Sequence, residues 1–465
     1  MKRALLTPLL SLASLTALSA CDMAPHYVRP MPPVPANFPS GPAYAAALAT
    51  EKPGLPWTAL VGDARLRSVI DRALANNRDL RAALANVEAA RAQYRVQRAA
   101  RLPAVTGEAG ASFSRQSDNR QNSYSANIGF SAFEIDLFGR VRNLSQSALE
   151  SYLATEEGAR STRITLIAET AAAYATLAAD QELLALARQT LASAERTLAL
   201  TQSLNRAGLR GKLDVHQAET SVEQARSDIA AQATQVAQDH NALNLLAGAP
   251  VEDALLPQSL QDLTGSIAKV PAGLSSDALL QRPDVLQAEH QLKAANADIG
   301  AARAAMFPKI SLTAAIGVAS SALSSLFTGE GFAWSAAPSA AMPIIGGGAR
   351  GNLDYSKAQR DLALAQYEKA IQTAFQEVSD ALAREGTIDD QQAAQQRLVL
   401  ASQRSYALAD ERYRAGIDTF LNSLTSQRNL YSAQQSAIAT NLALIQNRIL
   451  LYRVIGADFA TGEQS

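Results

Sequence analysis

Apolar residues recur at helical spacing over most of this chain, and four short stretches interrupt that rhythm by alternating at every second position. In VTGEAGASF, Val105, Gly107, Ala109, Ala111 and Phe113 share one face, and Thr106, Glu108, Gly110 and Ser112 share the other. In YSANIGFSA, Tyr124, Ala126, Ile128, Phe130 and Ala132 oppose Ser125, Asn127, Gly129 and Ser131. Segments 310–318 and 332–340 repeat the theme, with Phe332 and Trp334 near one rim. The alternation predicts strands at about 104–113, 124–133, 309–318 and 332–341, joined pairwise by loops rich in Ser, Asn, Gln and Gly. Apolar-out, small-polar-in segments of about ten residues are the pattern of strands that line an outer-membrane barrel. The alternative is a half-buried sheet in a soluble domain. Four strands cannot close, and open edges are not tolerated in lipid, so a barrel requires several protomers.

The helical stretches are long. A helix over about 77–101 stops before Pro103, and its counterpart starts at Pro283-Asp284, with proline and an acid in the first turn. Two further helices, about 141–205 and 350–413, hold no proline, and each spans roughly 95–100 Å at the helical rise. That length points to a coiled coil or a helical tube rather than a compact domain.

The elements occur twice. Residues 73–103 lie over 278–308 at an offset of 205, with Ala73/Ala278, Leu74/Leu279, Asp79/Asp284 and Pro103/Pro308 identical. RAGLRGKLD from Arg206 lies over RAGIDTFLN from Arg414 at an offset of 208, and Leu246-Ala-Gly248 over Val454-Ile-Gly456 at the same offset. A tandem repeat follows. The chain divides into residues 1–20, a signal peptide, and 21–62, a Pro-rich extended tether. A first repeat (63–248), a linker expected to pack around the waist of the tube (249–283), a second repeat (284–456) and a tail (457–465) follow. The fold class is mainly α with a transmembrane β part.

The N-terminus decides compartment. Met1-Lys2-Arg3, a short apolar run and small residues make a secretory signal, too short to span a bilayer. Leu18-Ser-Ala-Cys21 resembles a bacterial lipobox and carries the single cysteine, which predicts lipidation of Cys21 as N-palmitoyl S-diacylglyceryl cysteine. One cysteine excludes a disulfide framework. Basic and acidic side chains nearly balance, 42 against 43, so no electrostatic case exists for nucleic acid. His26, His216, His240 and His290 are scattered without metal-ligand spacing, and no nucleophile or phosphate-loop motif appears, so neither an enzyme nor a metal or other cofactor beyond the lipid is expected.

These features, with APHYVRP from Ala24, WTALVGDARL from Trp57, ANNRDL from Ala75 and RYRAGIDTFLNSLTSQR from Arg412, resemble the outer-membrane efflux proteins of the TolC superfamily. The likeness is to the lipoprotein branch serving resistance-nodulation-division (RND) pumps. It implies a homotrimer with a twelve-stranded barrel continued by a periplasmic α-helical barrel, an exit duct for drugs or other small toxic compounds. The implied partners are a periplasmic membrane-fusion adaptor, the inner-membrane RND pump and outer-membrane lipid. It makes Arg206, Ala207 and Gly208, with Arg414, Ala415 and Gly416, the adaptor-docking tips. It also puts a pore constriction at Leu421, with Leu213 its first-copy equivalent. The family carries an acid a turn later, where this chain has Thr425, with Gln217 in the first copy, so a charged gate is not expected. Asp22 also departs, because an acid after the lipidated cysteine holds enteric lipoproteins in the inner membrane. Competing readings are a duct for protein secretion and a coiled-coil lipoprotein without a pore.

Overall fold

A computed structural model describes residues 22–44, 56–116, 119–269, 275–328, 331–344 and 347–456. The signal peptide, Cys21 and the C-terminal tail lie outside the described residues. The chain forms two compact units, each assembled from both repeats.

The first unit comprises 22–31, 84–157 and 286–370. Its centre is an antiparallel meander of β1 (Thr106–Gln116), β2 (Asn119–Glu134), β3 (Lys309–Ser320) and β4 (Phe332–Ala341), in that order. The register puts Gly107, Ile128, Ile316 and Trp334 in one row and Ala126, Val318 and Phe332 in the next. These rows form one apolar face, as the alternation predicts. One assignment is corrected. The register slips between Phe130 and Phe133, where Ala132 takes φ 51° and its amide donates to Thr313 Oγ1 at 3.0 Å. This β-bulge turns Ala132 off the apolar face and brings Phe133 onto it, opposite Leu312. Among the described residues neither face of the sheet rests on a core: every residue of β4 is exposed, Trp334 at 72%, and Phe113 and Ile128 are exposed as well.

Strand gives way to helix at a small junction. Phe138 stacks on Phe307 at 4.7 Å, and Arg140 clamps Glu134 with bonds of 2.8 and 2.6 Å while Lys309 stands 3.3 Å away. A cavity of about 450 Å³ opens here. The unit also holds the C-terminal part of α2 (Arg78–Ala99), the start of α3 (Arg140–Arg206), most of α6 (Pro283–Ala304; α4 and α5 are given below) and the start of α7 (Ala349–Arg414).

The second unit comprises 32–83, 158–285 and 371–456. It contains a helix the sequence reading passed over, α1 (Ala64–Asn76), which is capped by Asp63 accepting from the Arg65 and Leu66 amides. The rest of α3 and α7 runs beside α4 (Lys212–Ala247) and α8 (Phe420–Ile455), both of 36 residues. α3 is buried nearly all round between Ile164 and Ala179, with Ala168, Ala171, Ala175, Ala178 and Ala179 packed beside the larger Ile167, Tyr174 and Leu177. The linker adds α5 (Leu260–Ser266) and is stitched down by Gly62 N–H to Ser266 O and Ala268 N–H to Leu60 O.

The two copies end alike. α4 stops at Gly248 (φ 69°) and α8 at Gly456 (φ 70°), both left-handed caps. Each last turn has a carbonyl taken by a buried side chain from the corresponding place in its own repeat. Asn77 Nδ2 donates to Leu246 O at 3.0 Å, and Arg282 Nη1 to Val454 O at 2.6 Å. Arg282 also binds Asp284 and Glu377, each at 2.8 Å.

Candidate functional site

The sequence points to the two helical hairpin tips, and both lie in the second unit. α3 ends at Arg206 and α4 begins at Lys212; α7 ends at Arg414 and α8 begins at Phe420. The reversals have one geometry. Gly208 N–H donates to Asn205 O and Leu209 N–H to Leu204 O; Gly416 N–H donates to Tyr413 O and Ile417 N–H to Arg412 O. This is the Schellman arrangement, and it needs a left-handed residue at its centre, supplied by Gly208 at φ 74° and Gly416 at φ 76°.

Such a turn normally folds the residue after the glycine back onto the helix as an apolar contact. Here those residues, Leu209 and Ile417, are 69% and 66% exposed. Leu213 and Leu421, each second in its helix, are 68% and 55% exposed. Arg206, Ala207, Gly208, Arg414, Ala415 and Gly416 are also exposed. The tips therefore carry four uncovered aliphatic side chains around basic turns. One helical turn further, Thr425 is exposed and Gln217 half-buried, and neither bears charge.

Side chains that the sequence reading missed tie the tips together. Arg210 Nη2 reaches Tyr413 O and Asp418 O, each at 3.4 Å, and its guanidinium lies 4.9 Å from the centroid of the Tyr413 ring. Asn205 Nδ2 donates to Arg210 O at 2.7 Å and holds that loop. Tyr413 is buried among Ala218, Phe420 and Leu424, with its hydroxyl 3.1 Å from Thr201 Oγ1. On the second tip Arg412 Nε donates to Asp418 at 2.7 Å, and that bond holds the Asp418 carboxyl below the usual carboxylate range. The available signal was the repeat itself: Arg210 and Asp418 are equivalent positions of opposite sign.

Beyond the tips, His216 pairs with Glu219 and His290 with Glu150. Among the described residues no group of three or more His, Cys, Asp or Glu is placed to hold a metal ion. No described helix is long and apolar enough to cross a membrane.

Known proteins fit this geometry. The family model described as outer membrane efflux protein matches residues 69–249 and 274–457, one segment for each repeat. The toluene efflux pump outer membrane protein TtgC of Pseudomonas putida is 46% identical over 466 residues, covering 97% of this chain and 96% of that protein. The outer membrane protein OprJ of Pseudomonas aeruginosa is 40% identical over 454 residues, covering 96% and 94%. The crystal structure of the open state of the Neisseria gonorrhoeae MtrE outer membrane channel superposes with a TM-score of 0.86 at 35% identity, covering 96% of this chain and all of that one. The chain belongs to the outer membrane efflux protein family and is an outer-membrane channel of an efflux system.

Proposed function

We propose that three copies of this chain form the exit duct of a tripartite RND-type efflux system, which passively passes small toxic compounds out of the cell. The observation that carries the reading is a four-stranded sheet that, among the described residues, has two unpaired edges and an exposed apolar face. An apolar face bare of protein is suited to lipid, and β1 and β4 edges from neighbouring copies satisfy one another's backbone groups. Three copies supply twelve strands, an even number within the range of outer-membrane barrels.

On this reading the hairpin tips face the periplasmic adaptor, with the pump in the inner membrane beyond it. Leu209 and Ile417, exposed at the apex of each turn, supply apolar contact, and Arg206 and Arg414 supply charge. Leu213 and Leu421, ringed three-fold with Gln217 and Thr425 behind them, narrow the pore by an apolar constriction rather than a charged one. Cys21 carries the lipid as a second attachment beside the barrel. No cofactor or energy source is bound; the pump drives transport. Cargo like that of the toluene efflux pump to which TtgC belongs, a small aromatic hydrocarbon, suits a wall that selects little.

Gel mobility before and after boiling, with conductance in planar bilayers, tests the reading. A heat-sensitive trimer that conducts is expected, and a monomeric, non-conducting species would overturn it. Loss of toluene tolerance in a deletion strain, restored by this chain, tests the cargo.

A further inference from the structure

Residues 22–31 form a strap along α6 in the first unit, running antiparallel to it. Met23 O accepts from Arg303, Pro25 O accepts from Asn296 Nδ2 at 2.7 Å, and the strap then reaches Glu289. There Arg29 donates to both carboxylate oxygens at 3.1 and 2.6 Å, Tyr27 hydroxyl donates at 3.2 Å, and Lys293 stands 3.0 Å away. Glu289 is only 2% exposed, and burial alone would raise its pKa. The bonds from Arg29 and Lys293 outweigh that and hold it below the usual range.

The other end of the strap is tied as well. Asp22 Oδ1 accepts from its own Ala24 amide and from Asn143 Nδ2, both at 3.0 Å, with Arg142 at 3.9 Å. Asn143 is buried in the first turn of α3, just after the segment that joins the end of β2 to that helix. The fit there depends on Gly300 of α6. A Cβ at that position would stand 2.8 Å from Ala24 Cα and Cβ and 2.7 Å from Asn143 Nδ2. Asp22 is thus held where strands become helices, and Cys21 is the residue that precedes it in the chain.

We propose that the strap is a two-point clasp that registers the lipidated N-terminus at the foot of the sheet, with Asp22 as the positioning residue and Asn143 as its receiver. The purpose rests on the lipidation proposed for Cys21. The acid that would read as a sorting signal in an extended leader is, in the folded protein, engaged by the body. Its location matches the need: acyl chains leaving residue 21 enter the membrane beside the strands rather than from a free tether.

Hydrogen exchange of the 22–31 segment in the full-length protein, purified from outer membranes into lipid nanodiscs, tests the clasp. Three variants open it by different routes: Asp22→Ala removes the acceptor, Asn143→Ala removes the donor, and Gly300→Ala fills the gap. Gly300→Ala changes neither the leader nor any charge, and alanine favours the helix it sits in. Losing a hydrogen bond to a charged group corresponds to at least about tenfold in opening, so each variant is expected to exchange about tenfold faster over 22–31 with α3 and the strands unchanged. Asp22→Asn retains an acceptor and is expected to stay within about threefold of the parent. If Asn143→Ala and Gly300→Ala leave the exchange at the parent rate, the clasp is wrong whatever Asp22→Ala does. The mass of the N-terminal peptide reports the lipid separately: an unacylated Cys21 sinks the anchor reading, whereas exchange judges the clasp alone.

Discussion

The C-terminal ends of α4 and α8 pose one problem and receive two chemical answers. Each is a 36-residue helix that stops at a left-handed glycine with a carbonyl of its last turn beside a buried side chain. In the first copy Asn77 fills that place with a neutral amide, whose Oδ1 also caps Leu80 N–H at 3.0 Å. In the second copy Arg282 fills it with a charge that must be balanced, and Asp284 and Glu377 balance it. The pattern recurs higher along the same helices. Asp239 in α4 faces Asp180, whose carboxyl is pushed up to about 7 by burial and by that neighbour. Its equivalent in α8, Asn447, instead donates to the buried Glu385 at 3.0 Å. The difference teaches that the duplicated unit specifies where a polar group must sit, and leaves the identity and charge of that group free.

The sharpest break in this comparison is Arg282→Ala, expected to cost about 3 kcal/mol, because it removes the buried charged partner of the Val454 carbonyl, while Asp284 and Glu377, both more than a third exposed, fall back on water. Thermal unfolding of the detergent-solubilised protein measures it, and Arg282→Asn is expected to recover only the part owed to the carbonyl. Asn77→Ala loses two hydrogen bonds but strands no charge, and about 2 kcal/mol is expected in the same assay. A cost equal to that of Arg282→Ala would contradict the distinction between the two caps.

Asp239→Asn makes the first copy resemble the second. Asp180 keeps its proton in the folded chain up to about pH 7, whereas the unfolded chain releases it near the ordinary carboxylate value. The folded state therefore binds more protons between about pH 4 and 7, and parent stability falls as pH rises through that window. The variant is expected to gain about 1 kcal/mol above pH 7, after allowance for solvent screening, and nothing below pH 4. Unfolding midpoints at pH 4 and 8 decide. Arg210→Ala is expected to be the smallest, under about 1 kcal/mol globally, but with faster hydrogen exchange at 207–212 than at 415–419, since the contacts at Arg210 hold the first tip more than the second.

Much of this was legible because the chain states it twice. The repeat, the helix ends at Gly208 and Gly416 and the alternation of four strands follow from period and turn chemistry, which are local. The roles of Asn77 and Arg282 were not legible, although they align in the repeat. Their partners, Leu246 and Val454, lie far along the chain, and no local rule joins them. The bulge at Ala132 was hidden for a different reason: alanine carries no turn signal, and the slip shows only against the register of β3. Arg210 shows its role only beside the second hairpin, whose Tyr413 and Asp418 carbonyls it reaches. Asp22, which the sequence alone left unexplained, gains a partner only once residue 143 is brought to it.

The bare sheet has a consequence for how the protein is made. Among the described residues Phe332, Trp334, Ile128 and Phe113 are each 60–72% exposed, and β1 and β4 end the sheet with unpaired edges. A strand pattern of this kind, left in water, seeks any other edge it meets. On the three-copy reading proposed above, the helical part can mature in the periplasm, while the strands complete their hydrogen bonding only as lipid and neighbouring copies arrive together. Insertion and assembly are then one event, and any lesion that delays it is read out as degraded or aggregated chain rather than as a leaky pore.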